Sequence, residues 1–344
     1  MKKFLEYPSI EQFRNVIKEL SHAEFIGLDE NGEKLYDRTR PKPIAKFKGT
    51  VKLHGTNACV AYRDGDMWIQ SRSQIITPQN DNAGFSAFVM ERKSIFENIF
   101  NQILMNNPAN KAIYIFGEFV GQDIQKGVAI SNLPKSFFIF DICLADANQE
   151  EINREWIDIK PYRDTENKIY NIEDYPTWEI EIDFNNPGAY QNRLIEITDE
   201  VENECPVGKA FGFSGIGEGV VWRSNIKGHR HIFKVKGKKH SVSKVKTLAN
   251  VDVEKLNSIN EFCDYAVTEN RLNQAIENVF GSSELSIKLM GEVIRWMVND
   301  IHKEESDTLS SNNLTDKDVN KSISDRVRVM FGERLNQQAG LSRG

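Results

Sequence analysis

Lys52-Leu53-His54-Gly55-Thr56-Asn57 sets a lysine just ahead of a compact glycine-bearing turn, with apolar, strand-like sequence on both sides. A lysine attacks only as the free amine, and with an ordinary pKa of about 10.4 only roughly one molecule in a few thousand is deprotonated at pH 7. A nucleophilic lysine therefore needs burial or neighbouring cations that favour the amine. The hexapeptide reads as a covalent catalyst whose remaining parts lie elsewhere in the chain.

Five further segments carry polar or charged residues inside β-like apolar sequence, where burying charge is costly and needs a reason. Gln70-Ser71-Arg72-Ser73 ends a strand in an arginine, and Phe116-Gly117-Glu118-Phe119-Val120-Gly121 sets a carboxylate between apolar neighbours with glycines for close backbone approach. Phe138-Ile139-Phe140-Asp141-Ile142 joins an aromatic to an acid, and Glu218-Gly219-Val220-Val221-Trp222-Arg223 opens an apolar strand with an acid. Phe233-Lys234-Val235-Lys236 puts two lysines at i and i+2, one face of a strand. Taken singly, each has an ordinary reading: a paired strand carboxylate, a core phenylalanine, solvated lysines, a turn histidine at His54.

From about residue 45 to 240 short β-prone runs alternate with turn residues. Strands are expected at Ala58 to Tyr62 and Met67 to Ser71, joined at Asp64-Gly65, then at Ala112 to Phe119, Phe137 to Leu144, Gly219 to Arg223 and His231 to Lys236. In Ser94 to Met105 the apolar residues Ile95, Phe96, Ile99, Phe100, Ile103 and Leu104 recur at helical spacing and predict a helix packed on a sheet. This is an α+β pattern with a largely antiparallel sheet. Beyond the basic segment four apolar sets keep helical period: Ile259, Phe262 and Ala266; Leu272, Ile276, Val279 and Phe280; Ile287, Ile294, Met297 and Ile301; Val319, Ile323, Val327 and Met330. Thr315 with Asp318 resembles an N-terminal cap, and Gln338 to Gly344 reads as a frayed tail. The expected organisation is a first domain over 1–243 and a small all-α C-terminal domain over 244–344.

The 344 residues, 40% hydrophobic and 27% charged, have an ordinary globular composition, and no stretch approaches the roughly 20 apolar residues of a membrane span. The N-terminus has no apolar core of signal-peptide length. A cytoplasmic location is expected, the host cytoplasm if the source is a phage, with no membrane partner. Cys59, Cys143, Cys205 and Cys263 lack paired metal-ligand spacing and read as reduced core or near-surface thiols. The net charge of -6 argues against a nucleic-acid partner, but its distribution argues for one: Val221 to Lys246 holds nine Lys or Arg and no acid. A solvated basic loop is the plainer alternative.

Jointly, in this order, the six segments resemble the covalent nucleotidyltransferases, which comprise polynucleotide ligases and mRNA capping enzymes. Within them the resemblance is to RNA ligases of the T-even phage second-ligase type, with the kinetoplastid RNA-editing ligases. DNA ligases and capping enzymes carry Lys-x-Asp-Gly at the nucleophile, where this chain has His54 followed by Gly55-Thr56-Asn57. The Phe116 to Gly121 run, continuing through Ile124-Gln125-Lys126, and the Phe140-Asp141 pair are also similar to that branch. The resemblance covers about residues 45 to 240. It departs in Arg223, where the phage relatives have lysine, and in Ser73-Gln74, where they have Thr-Gly.

The resemblance implies a nucleotidyltransferase (adenylation) domain with antiparallel sheets and flanking helices. It implies an ATP-dependent RNA ligase joining a 3'-hydroxyl to a 5'-phosphate in three nucleotidyl transfers, at nicks in duplex RNA, with ATP and Mg2+ as cofactors and Mn2+ as a substitute. Lys52 would attack the α-phosphorus to form lysyl-AMP, while Lys234 and Lys236 would neutralise the α-phosphate and favour the Lys52 amine. Arg72 would contact the ribose or phosphate, Glu118 would accept from a ribose hydroxyl, and Phe140 would stack on adenine. Glu218, helped by Glu118 and Asp141, would hold hydrated Mg2+, and His54 would act in later steps. Val51, Leu53 and Asn57 would complete the nucleotide site. Arg223, Lys227, Arg230, Lys238 and Lys239 would contact RNA phosphates, the helical domain would clamp the nucleic acid, and the enzyme would act as a monomer. The competing readings are a DNA ligase, a GTP-dependent capping-type enzyme, or an RNA-binding relative without catalysis.

Overall fold

In the computed structural model, which describes residues 2–21, 25–28, 30, 34–36, 41–108, 111–145, 154–240, 259–281, 284–311 and 314–341, strands dominate the first two thirds and helices the remainder. The strands are β1 (Glu11–Gln12), β2 (Phe25–Leu28), β3 (Lys34–Tyr36), β4 (Ile44–Lys52), β5 (Thr56–Arg63), β6 (Asp66–Ser71), β7 (Ile75–Ile76), β8 (Ala112–Val120), β9 (Ser136–Ala145), β10 (Arg154–Ile157), β11 (Ile169–Asn171), β12 (Thr177–Asp183), β13 (Gly219–Ile226) and β14 (His229–Lys236). The helices are α1 (Phe13–Ser21), α2 (Phe85–Glu91), α3 (Lys93–Asn106), α4 (Gln191–Asn203), α5 (Pro206–Ala210), α6 (Ile259–Ala266), α7 (Glu269–Phe280), α8 (Met290–Glu304), α9 (Ser306–Ser311) and α10 (Asp316–Leu341). The fold is α+β, as the sequence predicts, with helices over the described C-terminal residues. The expected division between 243 and 244 lies outside the described residues.

The chain forms two compact units. The first comprises Met1–Ile10, Lys48–Glu179 and Glu200–Trp222, the second Glu11–Phe47, Ile180–Asp199 and Arg223–Gly344. The first unit is built on the sheet β10-β9-β8-β5-β6-β7, with β11 paired to β9. Its hairpin β5-β6 closes where Asp64 and Gly65 take φ of 50° and 87°, the positive values that a two-residue turn between twisted strands requires. β5 and β8 run antiparallel with Asn57 opposite Glu118, and β8 and β9 run antiparallel with a register shift between Phe116 and Gly117. Phe116 faces Asp141 and Gly117 faces Ile139, so Phe140 is the extra residue of a bulge. The apolar stripe of α3, Phe96, Ile99, Phe100 and Ile103, is buried as its period predicts. Phe96 and, from α2, Phe85 pack on Phe137 at ring-centre distances of 6.1 and 5.1 Å.

Residues 2–10, to which the sequence alone assigns no element, lie along this sheet. Leu5 N–H donates to Gln70 Oε1 and Gln70 Nε2 returns a bond to Leu5 O, both at 3.1 Å, while Trp68 Nε1 donates to Lys3 O. Tyr7 meets the rings of Phe116 and Phe140, each at 5.1 Å.

The other long strands follow the order β1-β14-β13-β4-β12. In the second unit β1 runs parallel to β14, with Gln12 opposite Lys234. Phe13, Phe47, Phe184 and Phe233 pack together there, Phe13 on Phe233 at 4.8 Å. The C-terminal helices bury Phe262, Leu272, Met297, Ile301, Val319, Ile323, Val327 and Phe331 in one core. Two expectations shift. Ile287 is 64% exposed on a 3-10 turn, and the buried face of α8 is Val293, Met297 and Ile301, because the helix begins only at Met290. α10 runs on through Gln338 to Leu341, where the sequence predicts a tail frayed over 338–344, and the last three positions lie outside the described residues. The carboxylate of Asp318 accepts from both Thr315 N–H and the Thr315 hydroxyl at 2.7 Å, the cap the sequence predicts. The four cysteines are free and buried. No helix among the described residues is long and apolar enough to cross a membrane.

Candidate active site

Lys52 is the last residue of β4, and β5 begins four residues later at Thr56. Between them the chain turns against the end of β8, where a Cβ on Gly55 would lie 2.3 Å from the Phe119 carbonyl oxygen and 2.6 Å from Val120 Cγ1. Only glycine lets the backbone come this close. The turn is held from both sides: Gly55 N–H donates to Glu118 Oε1 at 3.0 Å, and Gln125 Nε2 donates to Gly55 O at 3.4 Å. Val51 and Leu53, flanking the lysine, are buried.

The turn sets Lys52 against Glu218. Lys52 Nζ donates to Glu218 Oε2 at 2.7 Å, with the lysine side chain 19% exposed and the carboxylate 3%. His54 Nδ1 lies 3.5 Å from the same oxygen. Glu218 enters from the loop ahead of β13, where Gly217 packs so tightly that a Cβ would meet the Val201 carbonyl oxygen at 2.7 Å. Lys52, His54, Gly55, Glu118 and Glu218 thus form one cluster, drawn from segments more than 160 residues apart in sequence.

The surroundings of Glu118 change its chemistry. Burial pushes its carboxyl up to about 7, and the negative charge of Glu218 adds to the rise. Lys52, the Gly55 N–H and His54 pull the other way without cancelling it. Such a group exchanges its proton near neutrality, which suits acid-base or hydrogen-bonding work on a polar ligand.

Phe140 and Asp141 sit at the β9 bulge, and Tyr7 contacts both. The Tyr7 hydroxyl donates to Asp141 Oδ2 at 2.5 Å, and its ring stands edge-on to Phe140. Asp141 is 4% exposed, whereas Phe140 is half-buried. Tyr7 escapes a reading of the sequence because nothing near it in the chain marks it; only the fold brings it to position 141. Asn57 stands in β5 opposite Glu118, and Arg72 lies on the exposed turn Ser71–Gln74 that follows β6. Among the described residues no group of three or more His, Cys, Asp or Glu is arranged to hold a metal ion.

The basic residues belong to the second unit. Lys227 and Gly228 take φ of 52° and 84° at the exposed turn joining β13 to β14. Lys238 and Lys239 are exposed beyond β14, with Lys238 Nζ 3.9 Å from Asp199, while Arg223 and Arg230 are half-buried. Lys244 and Lys246 lie outside the described residues. Lys234 and Lys236 are half-buried on β14, and Lys234 Nζ donates to Glu304 Oε1 at 2.7 Å. Glu304 is a further residue the sequence does not mark, since a glutamate ending an amphipathic helix looks like any solvated one.

A strand-end lysine paired with a buried carboxylate, behind a turn that only glycine can make and beside a second carboxyl raised by burial, makes a compact polar cluster at the end of β4. Residues 45–236 match the sequence model of the RNA ligase family, and the chain belongs to that family. No curated protein sequence matches it. Among solved structures it is similar to the Naegleria gruberi RNA ligase with pyrophosphate, at TM-score 0.43 and 17% identity, covering 69% of this chain and 57% of that one. It is likewise similar to a glutamate-to-alanine variant of that ligase with ATP and Mn, at TM-score 0.44 and 16% identity, covering 69% and 58%. The chain spans less than two thirds of the Naegleria ligase's length.

Proposed function

We propose that this chain is an ATP-dependent RNA ligase of the T-even phage second-ligase type, sealing 3'-hydroxyl and 5'-phosphate ends at nicks in duplex RNA as a monomer. The observation that carries the reading is the Lys52 ammonium fixed on Glu218 at 2.7 Å behind the Gly55 turn, inside the segment that matches the family. In the first transfer the Lys52 nitrogen lone pair attacks the α-phosphorus of ATP. An N–P bond forms, the bond to the bridging oxygen breaks, and pyrophosphate leaves with its electrons. AMP then passes to the RNA 5'-phosphate, and the 3'-hydroxyl displaces it to make the phosphodiester.

The remaining residues divide the work. Lys234 and Lys236 neutralise the α-phosphate, where charge stabilisation matters most in phosphoryl-type transfer. Glu118 accepts from a ribose hydroxyl, Phe140 stacks on adenine, Arg72 and Asn57 contact the ribose and phosphates, and Val51 and Leu53 wall the nucleotide. His54 acts in the later transfers. Glu218, with Glu118 and Asp141 as helpers, suits a hydrated Mg2+ or Mn2+ held through its waters; when bound, the cation offsets charge on the phosphates. Residues 1–243 serve as the nucleotidyltransferase domain and 244–344 as the helical domain, with Arg223, Lys227, Arg230, Lys238 and Lys239 on the RNA phosphates.

Nicked duplexes with RNA or DNA on each side of the break, incubated with ATP and Mg2+, test the reading. The expected result is sealed product on the nicked RNA duplex, with trapped AMP-RNA when the 3'-hydroxyl is removed. Labelling by GTP in preference to ATP would instead favour a capping-type enzyme, and salt-sensitive RNA binding without any adduct would favour a catalytically inactive relative.

A further inference from the structure

Lysine carries its charge on a flexible four-carbon stem, so a lysine that must meet one phosphate oxygen needs something to fix its ammonium. On β14 the fixture comes from the C-terminal helices. Lys234 Nζ donates to Glu304 Oε1 at 2.7 Å, with the two side chains 17% and 13% exposed. Glu304 ends α8 and is anchored in turn. Gln12 Nε2 donates to its other carboxylate oxygen at 3.2 Å and to its carbonyl at 3.4 Å, and Arg14 Nη2 donates to that carbonyl at 3.1 Å. Gln12 is also the residue opposite Lys234 in the β1-β14 pairing.

The next residue pins this end of the helix. Glu305 is fully buried, accepting from Arg14 at 3.1 Å and Arg271 at 3.0 Å, and the Tyr265 hydroxyl donates to it at 2.8 Å. Arg271, itself fully buried, also bonds Asp300 at 2.8 Å. Pulling this end away would strand buried charges of both signs. Glu304 is therefore a fixed acceptor rather than a releasable plug. Burial raises its carboxyl, but Lys234, Lys236 and the bond from Gln12 overcome that and hold it down to about 2, so it stays charged at working pH.

We propose that Glu304 is a positioning residue for Lys234, and that through it the C-terminal helices complete the phosphate-binding lysines of the adenylation step. This rests on the reading of Lys234 as an α-phosphate ligand. An ammonium has three donors, so anchoring one on Glu304 is compatible with donation to phosphate. Pre-set donors favour the transition state, where phosphate charge rearranges, over ground-state binding. The helical domain expected to clamp RNA thus acts before any RNA is bound.

The test is single-turnover formation of the protein-AMP adduct by the full chain, without RNA, in wild type and in Glu304→Gln, Glu304→Ala and Gln12→Ala. Losing a charged acceptor corresponds to about a tenfold change. The rate constant at saturating ATP should fall about tenfold in Glu304→Gln and at least as far in Glu304→Ala, with half-saturating ATP within about twofold of wild type. Gln12→Ala, which only loosens Glu304, should fall by a smaller factor of about three. An unchanged rate in folded Glu304→Gln would overturn the proposal. So would a faster rate at lower ATP, which would make Glu304 a competitor for Lys234. If neither Glu304 variant folds, an unchanged rate in folded Gln12→Ala overturns it. Absence of adduct in the wild type would sink the ligase reading itself, a different outcome from a labelled wild type with unaffected variants.

Discussion

Replacing Glu118 by glutamine removes a carboxyl whose hold on its proton the fold strengthens, while leaving a side-chain oxygen to accept from Gly55 N–H. In wild type, burial carries this group from its ordinary 4.5 to about 7. Between those values the folded chain holds a proton that the unfolded chain has released, so stability falls as pH rises through the window. Glu118's contribution is complete below pH 4.5 and lost above about 7. At about 1.4 kcal/mol for each tenfold step, the interval of 7 less 4.5 corresponds to about 3 kcal/mol. Relative to wild type, Glu118→Gln should gain about 3 kcal/mol in unfolding free energy between pH 4.5 and 8. The assay is urea unfolding followed by tryptophan emission at a series of pH values. Both proteins should carry Trp296→Phe, so that Trp68, Trp156, Trp178 and Trp222 report the unit holding Glu118. A difference between the proteins that stays flat with pH, or a variant less stable than wild type at pH 8, would mean that the fold does not raise the Glu118 carboxyl.

Two other substitutions probe the site and the basic surface. Gly55→Ala drives a Cβ to 2.3 Å from the Phe119 carbonyl, so the turn must shift, costing about 1–3 kcal/mol by overpacking and reducing adduct formation at saturating ATP; unfolding and labelling measured on the same preparation check both parts. The triple variant Lys227→Ala, Lys238→Ala, Lys239→Ala should flatten the dependence of log binding constant on log salt for a nicked RNA duplex by roughly 0.7–0.9 for every phosphate that is no longer neutralised, without changing the rate of adduct formation.

Elements whose register is local are legible in the sequence. The Asp64-Gly65 turn, the apolar stripe of α3 and the runs that form β8, β9, β13 and β14 each carry their own signal. The 150–200 stretch is harder to read because its strands are short and pair at long range: Arg154–Ile157 adds to one side of β9 and Ile169–Asn171 joins it in parallel. One signal there is available, since Glu179-Ile180-Glu181-Ile182 alternates exposed and buried residues at strand period.

The candidate site divides in the same way. Lys52, His54, Glu118 and Glu218 can be named because their short segments, ordinary when taken singly, jointly resemble the motifs of one family. The meeting of Lys52 and His54 at one carboxylate oxygen of Glu218 is a product of topology that no spacing encodes. Tyr7 and Glu304 have no such mark, since the first is an aromatic near a terminus and the second a helix-end acid. The bulge at Phe140 depends on how β8 and β9 pair, which is likewise invisible in either strand alone.

In the proposed first transfer the Lys52 nitrogen becomes covalently bonded to AMP. Incubation with ATP labelled at the α-phosphate and Mg2+, followed by denaturation and electrophoresis, measures it directly. The expected result is an acid-labile label on the wild-type chain and none on Lys52→Ala; a label that survives in Lys52→Ala, or none on the wild type, would exclude lysyl-AMP at this position.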